Sequence, residues 1–299
     1  MRILITGGTG LIGRRLCVAL TALGHDLTVL SRQPMSVKEK CGPAVTALAS
    51  LTDWTSEQSF DAIINLAGEP IVDARWTEKR KRKLLASRIG LTEQLVAKIA
   101  QARYKPAVML SGSAVGYYGD SGERELDETA SAGQDFSAEL CAAWEAAASQ
   151  IISNGTRLCL LRTGLVLDAE GGILHKMLLP FKLALGARLG DGRQWMSWIH
   201  IDDYVAVVLM LLLREDASGV YNMTAPQPVN NAEFTQRLAA ALHRPALFVA
   251  PAWALRLAMG EMALLLLGGQ RVYPRSLLAL GYTFRYPTLA LALNSLLKH

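Results

Sequence analysis

Cysteine is scarce in this chain. The four residues, Cys17, Cys41, Cys141 and Cys159, form no CxxC pair among 299 positions, and the five histidines show no HExxH or paired-ligand spacing. Reduced thiols and no metal site are therefore expected. Long apolar runs are missing too: Val205 to Leu213 and Met262 to Leu267 fall well short of the roughly 20 residues of a membrane-spanning helix. They read as buried helices, and no membrane partner is expected. The first residues lead directly into a glycine-rich stretch, without the basic and apolar segments of an export signal. A cytoplasmic protein is the expectation. Charged residues are few, 19% against 51% apolar, which excludes a disordered chain and provides for a sizeable core.

Much of the formal charge of +5 lies in the run Lys79-Arg80-Lys81-Arg82-Lys83. That run reads as a solvated helix face or as an anion-binding patch. No aromatic interleaving accompanies it, so no nucleic-acid partner is expected.

Short apolar runs alternate with amphipathic stretches through the first 165 residues, the pattern of βαβ units and a parallel sheet. The predicted strands are Arg2–Thr6, Asp26–Ser31, Val45–Leu48, Asp61–Ala67, Ala107–Ser111 and Leu158–Thr163. Between them, Arg14–Leu23, Ser87–Ala102 and Ser137–Ile152 repeat apolar residues at helical spacing. This is an α/β, Rossmann-type doubly wound sheet with a smaller C-terminal part: residues 1–165 for the dinucleotide domain, and 166–299 for an interleaved substrate-binding and helical region. The glycines that follow Thr163 suit loops around a cleft. Further on, Asn231 is the expected N-cap of a helix over Ala232–Leu242, Pro245–Pro251 brackets a short strand, and Ala252–Leu267 is helical.

The most specific signal is Thr6-Gly7-Gly8-Thr9-Gly10-Leu11-Ile12-Gly13, a glycine-rich loop between a buried strand and a helix. Gly7 permits the tight turn, Gly10 lets a diphosphate approach the backbone, and Gly13 lets helix and strand pack closely. The second strand ends in Ser31-Arg32 rather than in the acid that grips the ribose hydroxyls of NAD. An arginine there suits a 2′-phosphate, so the expected cofactor is NADP(H). Leu66-Ala67-Gly68 ends the fourth strand with small residues, as adenosine requires. Ser111 and Ser113, followed by Tyr117, end the strand after it. Their hydroxyls either face the crevice or cap a turn, and Ser113 and Tyr117 are the weak catalytic candidates.

These motifs resemble the extended short-chain dehydrogenase/reductase superfamily. The segments Ile63-Ile64-Asn65-Leu66-Ala67-Gly68-Glu69, Arg75-Trp76, Ser87-Arg88, Leu161-Arg162-Thr163-Gly164, Trp198-Ile199-His200-Ile201-Asp202-Asp203 and Gly268-Gly269-Gln270-Arg271 narrow the likeness to YfcH-type epimerase-family proteins across essentially the whole chain. The resemblance implies an atypical extended fold that binds NADP(H). It places Thr9, Gly10, Leu11 and Ile12 at the diphosphate, Ser31 and Arg32 at the 2′-phosphate, Leu66 and Ala67 at the adenosine, and Arg88 and Val166 at other parts of the cofactor. Taken alone, Arg88 is equally a surface charge. The segment His200–Asp203 is equally a structural turn in which Asp202 or Asp203 caps the following helix.

The superfamily's Tyr-x-x-x-Lys pair, in which the lysine lowers the tyrosine pKa for proton exchange with substrate, is absent. If Glu145 marks the acid that follows that pair, Ser137 falls at the tyrosine and Cys141 at the lysine. Two functions remain open: an NADP(H)-dependent oxidoreductase or epimerase acting on a polar, nucleotide-sugar-like small molecule, and a non-catalytic NADP(H)-binding regulatory or sensor protein.

Overall fold

A computed structural model describes residues 1–55 and 57–297; the last two positions of the expected 166–299 part lie outside the described residues. Seven strands form the central sheet: β1 (Arg2–Thr6), β2 (Asp26–Leu30), β3 (Thr46–Leu48), β4 (Ala62–Asn65), β5 (Val108–Ala114), β6 (Arg157–Thr163) and β7 (Gly219–Met223). All pairings are parallel and the order is β7-β6-β5-β4-β1-β2-β3. Such strands are buried on both faces, which explains their near-continuous apolar sequence. The chain reverses its direction of winding between β1 and β4, and in open α/β sheets ligands bind at that switch point beyond the carboxyl ends of the strands.

The helices used below are α1 (Leu11–Ala22), α2 (Glu78–Leu85), α3 (Leu91–Gln101), α4 (Phe136–Ser149), α5 (Gly172–Lys182), α6 (Ile201–Leu213), α7 (Asn231–Ala241), α8 (Ala252–Met259) and α9 (Leu289–Leu297). One core layer joins Ile3, Ile5 and Leu16 to Tyr204, Val207 and Leu211 of α6; another sets Leu4, Ile63 and Met109 against Leu95 and Ile99 of α3. Both β7 and α6 lie beyond residue 165, so the C-terminal half completes the sheet and covers one face. A separate apolar cluster around Trp198, Phe234 and Leu293 holds α7 and α9 together.

Three local readings are corrected. The helix expected at Ser87 already begins at Glu78 and passes through a wide π-helical turn, Ala86–Gly90, into α3. The N-cap of α7 is Asn230, whose side chain accepts from the Glu233 amide at 2.8 Å. Asn231 is instead buried and accepts from the Leu189 amide at 2.8 Å. Helix α6 is capped by His200, whose Nδ1 accepts from the Asp202 amide at 3.0 Å, and neither Asp202 nor Asp203 takes that role.

Candidate active site

The glycine-rich loop carries its sequence roles in its geometry. Gly7 has φ +72°, and a Cβ there would lie 2.7 Å from the Leu66 carbonyl. A side chain at Gly13 would collide with the Gly7 carbonyl and the Gly8 backbone, so the start of α1 seats directly on the loop. Gly10 differs: an added Cβ would meet only the Gly7 oxygen, at 3.2 Å. It caps α1 without a side-chain bond, leaving the first amides of the helix for an anion.

A cleft of about 600 Å³ opens here, lined by Gly7, Thr9, Gly10, Ser31, Arg32, Leu66, Ala67 and Gly68. Beneath it the Thr6 hydroxyl donates to Asn65 Oδ1 (2.7 Å), and Asn65 Nδ2 donates to Thr92 (2.9 Å) and to Ser111 (3.1 Å). Thr6 also accepts from the Ala67 amide at 3.1 Å. This buried network fixes the ends of β1, β4 and β5 relative to one another. Ser111 belongs to it and is fully buried, so its hydroxyl faces the interior. Leu11 and Val166 stand at the neighbouring end, where Leu11 packs on Gly171 and Val166 lies on a short strand paired with Trp198–His200.

Arg32 is 86% exposed, and its guanidinium stands 3.7 Å from Glu69. Glu69 also pairs with Arg80 (3.1 Å) and Lys83 (2.7 Å), which hold its carboxyl below the usual range. One acid among three cations leaves the mouth of the cleft net positive. Glu69 received no role from sequence, and Arg80 and Lys83 only that of the basic run, a solvated helix face or an anion-binding patch; the signal was a lone acid at a strand end some ten residues before that run. Arg80 and Lys83 thus turn two members of that run toward the cleft.

Arg88 lies on the π-turn, half-buried, 5.4 Å from the Trp144 ring. Gly68 makes room for it: a Cβ at 68 would be 2.8 Å from the guanidinium carbon. Burial lowers the Arg88 pKa, and no carboxylate lies within ion-pair distance among the described residues. A half-buried cation without a carboxylate partner is costly unless an anion completes it.

At the end of β5 the Ser113 hydroxyl donates to Glu145 Oε1 at 2.6 Å. Arg162 grips both Glu145 oxygens, each at 2.9 Å, and donates to the Tyr118 hydroxyl at 3.0 Å. All four residues are buried. Ser113 is therefore bound into a charged network and does not point freely into the crevice. Tyr117, in the turn Val115–Tyr118, is half-exposed, with the Arg162 guanidinium carbon 3.4 Å from its ring centre. Sequence reasoning passed over Arg162, yet a charged residue within an otherwise apolar central strand itself announces a buried partner. Ser137 and Cys141 are both buried on α4. Burial pushes the Cys141 thiol up to about 11, against the opposing field of Arg88.

Residues 3–224 match the model of the NAD dependent epimerase/dehydratase family, and residues 250–296 match a domain of unknown function, DUF1731. Epimerase family protein MW0731 of Staphylococcus aureus (strain MW2) is 38% identical over 99% of this chain and 98% of its own length. Epimerase family protein SDR39U1 of Mus musculus is 39% identical over 98% of this chain and 99% of its own. The crystal structure of human epimerase family protein SDR39U1 (isoform 2) with NADPH superposes with a TM-score of 0.92 at 38% identity, covering 99% of each chain.

Proposed function

Because the chain belongs to the NAD dependent epimerase/dehydratase family, we propose that it is an NADP(H)-dependent oxidoreductase or epimerase acting on a polar, nucleotide-sugar-like small molecule. The observation that carries the cofactor is the net-positive cluster of Arg32, Arg80, Lys83 and Glu69 at the mouth of the cleft, together with the human relative solved with NADPH. A 2′-phosphate pairs with such a cluster, and the ribose of NADH leaves it unanswered. The amides that open α1 bind the diphosphate, and Arg88 supplies a further cation to an anionic or polar part of the cofactor. Bound NADP(H) provides the hydride chemistry. The protein's own part is to exclude water, orient the substrate from the 166–299 region, and offer a proton donor.

For that donor Tyr117 is the stronger of the two candidates, because Ser113 already donates its proton to Glu145. The cation stacked on the Tyr117 ring is itself held by Glu145, which fixes the ring in place. Calorimetric titration with NADPH and NADH, followed by NADPH turnover against nucleotide sugars and small carbonyl compounds, tests the reading. NADPH binds tighter, and Tyr117→Phe lowers turnover by roughly 10²-fold with cofactor affinity unchanged. Equal affinity for both cofactors overturns the assignment.

The second reading, a non-catalytic NADP(H)-binding sensor, draws on Ser137 and Cys141: both are buried, and the thiol is pushed up to about 11. NADPH binding without turnover of any substrate in the screen favours it.

A further inference from the structure

Three pieces of the C-terminal half, two of them distant from the first in sequence, expose large apolar side chains. Leu179 and Leu183 lie four residues apart at the end of α5, Leu247 and Phe248 lead into the strand Phe248–Ala250, and Trp253 and Leu257 lie four apart on α8. Each of the six is 54% to 83% exposed. The pieces are joined. Phe248–Ala250 pairs with Ala187–Leu189, which follows α5, and the Arg244 Nε donates to the Lys182 carbonyl at 3.0 Å. Together these side chains expose several hundred Å², at or above the roughly 300–600 Å² of the largest apolar patch on an ordinary monomer.

Charge is segregated in the same segments. Residues 171–190 and 241–260 hold five Lys and Arg and no Asp or Glu. Among these, Lys182, Arg244 and Arg256 are exposed and have no carboxylate partner among the described residues. Of the acids that flank these segments, Glu170 pairs with Arg15 at 3.1 Å and Glu261 with Lys81 at 2.6 Å, while the exposed Asp191 accepts from the Arg193 amide at 3.0 Å. At the edge of the patch a cavity of about 550 Å³ is lined by Lys182, His243, Arg244 and Asn294.

We propose that this face docks on an anionic phospholipid surface, with Trp253, Leu257, Phe248 and Leu247 entering the interfacial region and Lys182, Arg244 and Arg256 meeting headgroup phosphates. Apolar residues with an interfacial tryptophan, rimmed by cations, are what such a surface recognises. A second copy fits less well. A two-fold contact sets the patch against a copy of itself, so a surface carrying Lys182, Arg244 and Arg256 without carboxylate partners would meet another of the same sign. No described helix is long and apolar enough to cross a membrane; this is attachment to the surface. The expectation of no membrane partner came from the length of apolar runs, which speaks only to spanning segments.

Co-sedimentation of the full chain tests the proposal, using vesicles of phosphatidylcholine alone and vesicles of equal parts phosphatidylcholine and phosphatidylglycerol. The protein sediments with the mixed vesicles and not with the neutral ones, and binding falls as salt rises. The double substitution Trp253→Asp and Leu257→Asp, both at exposed positions, abolishes binding with unchanged circular dichroism and melting temperature. Lys182→Glu weakens it at least roughly fivefold. Three results would overturn the proposal. These are no sedimentation with either vesicle, undiminished binding by the double variant, and a dimer in sedimentation velocity that the double variant dissolves while the wild type ignores vesicles.

Discussion

At the scale of single residues, cofactor choice turns on Arg32. Its side chain is solvent-exposed and tethered only by a 3.7 Å contact with Glu69, so it is free to turn to a 2′-phosphate at little cost. Arg32→Ala is expected to weaken NADPH binding by about 1.5–3 kcal/mol and NADH binding hardly at all, as read by calorimetry. Gly10→Val tests the diphosphate contact. The position tolerates a Cβ apart from one close approach to the Gly7 carbonyl, so the fold survives while a branched side chain fills the space for phosphate. Native circular dichroism with no measurable dinucleotide binding is the expected result; retained affinity contradicts it. The tight turn at Gly7 and the close packing at Gly13 were legible because they depend on local backbone alone. The roles of Ser111 and Ser113 were not, since Asn65 and Glu145, which claim their hydroxyls, arrive from 46 and 32 positions away.

At the scale of elements, β1 to β6 were legible within a residue or three at each end, because strands buried on both faces are short apolar runs that little else in the chain imitates. Helix boundaries were harder. The basic run read as a helix face without bounds, and its cap, Thr77, which accepts from the Arg80 amide at 3.2 Å, was missed; the π-turn that presents Arg88 leaves no mark in apolar spacing. The adjacent asparagines at the start of α7 have equal capping propensity, and tertiary contacts decide between them. That gives a prediction. Asn230→Ala removes a cap and lowers stability by about 1 kcal/mol. Asn231→Ala leaves the Leu189 amide without its acceptor, a loss of about 1–3 kcal/mol. Urea denaturation of the two variants is expected to rank Asn231→Ala as the more damaging, and the reverse order would return the cap to Asn231.

At the scale of the whole molecule, the C-terminal segment is fastened to the sheet-covering helix where α6 begins. Asp203 is buried there and accepts from the Tyr282 hydroxyl (2.8 Å), the Arg285 amide (2.8 Å) and the Tyr286 amide (2.9 Å), tying the segment before α9 to a helix of the central core. Beside it His200 stacks on Tyr286 with ring centres 3.8 Å apart. Its Nδ1 accepts from the Asp202 amide, so the ring proton sits on Nε2, which is buried without a partner among the described residues. Burial lowers the His200 pKa, with Arg285 adding to the effect and Asp202, Asp203 and Asp168 opposing it. Because the folded-state pKa lies below the unfolded one, the unfolded chain binds a proton that the native protein refuses as pH falls below the ordinary histidine value of about 6.5. Stability is therefore expected to fall between neutral pH and about pH 5, by at most about 1.4 kcal/mol per pH unit from this group. Glu128 works in the opposite sense: burial raises its pKa, so its contribution is full below about 4.5 and fades as pH rises through its folded value. The His200→Asn variant separates the two, since asparagine keeps a capping acceptor and cannot titrate. Chemical denaturation of both proteins across this range is expected to give a shallower loss for His200→Asn. Parallel curves would mean that the imidazole does not carry the acid sensitivity of this contact.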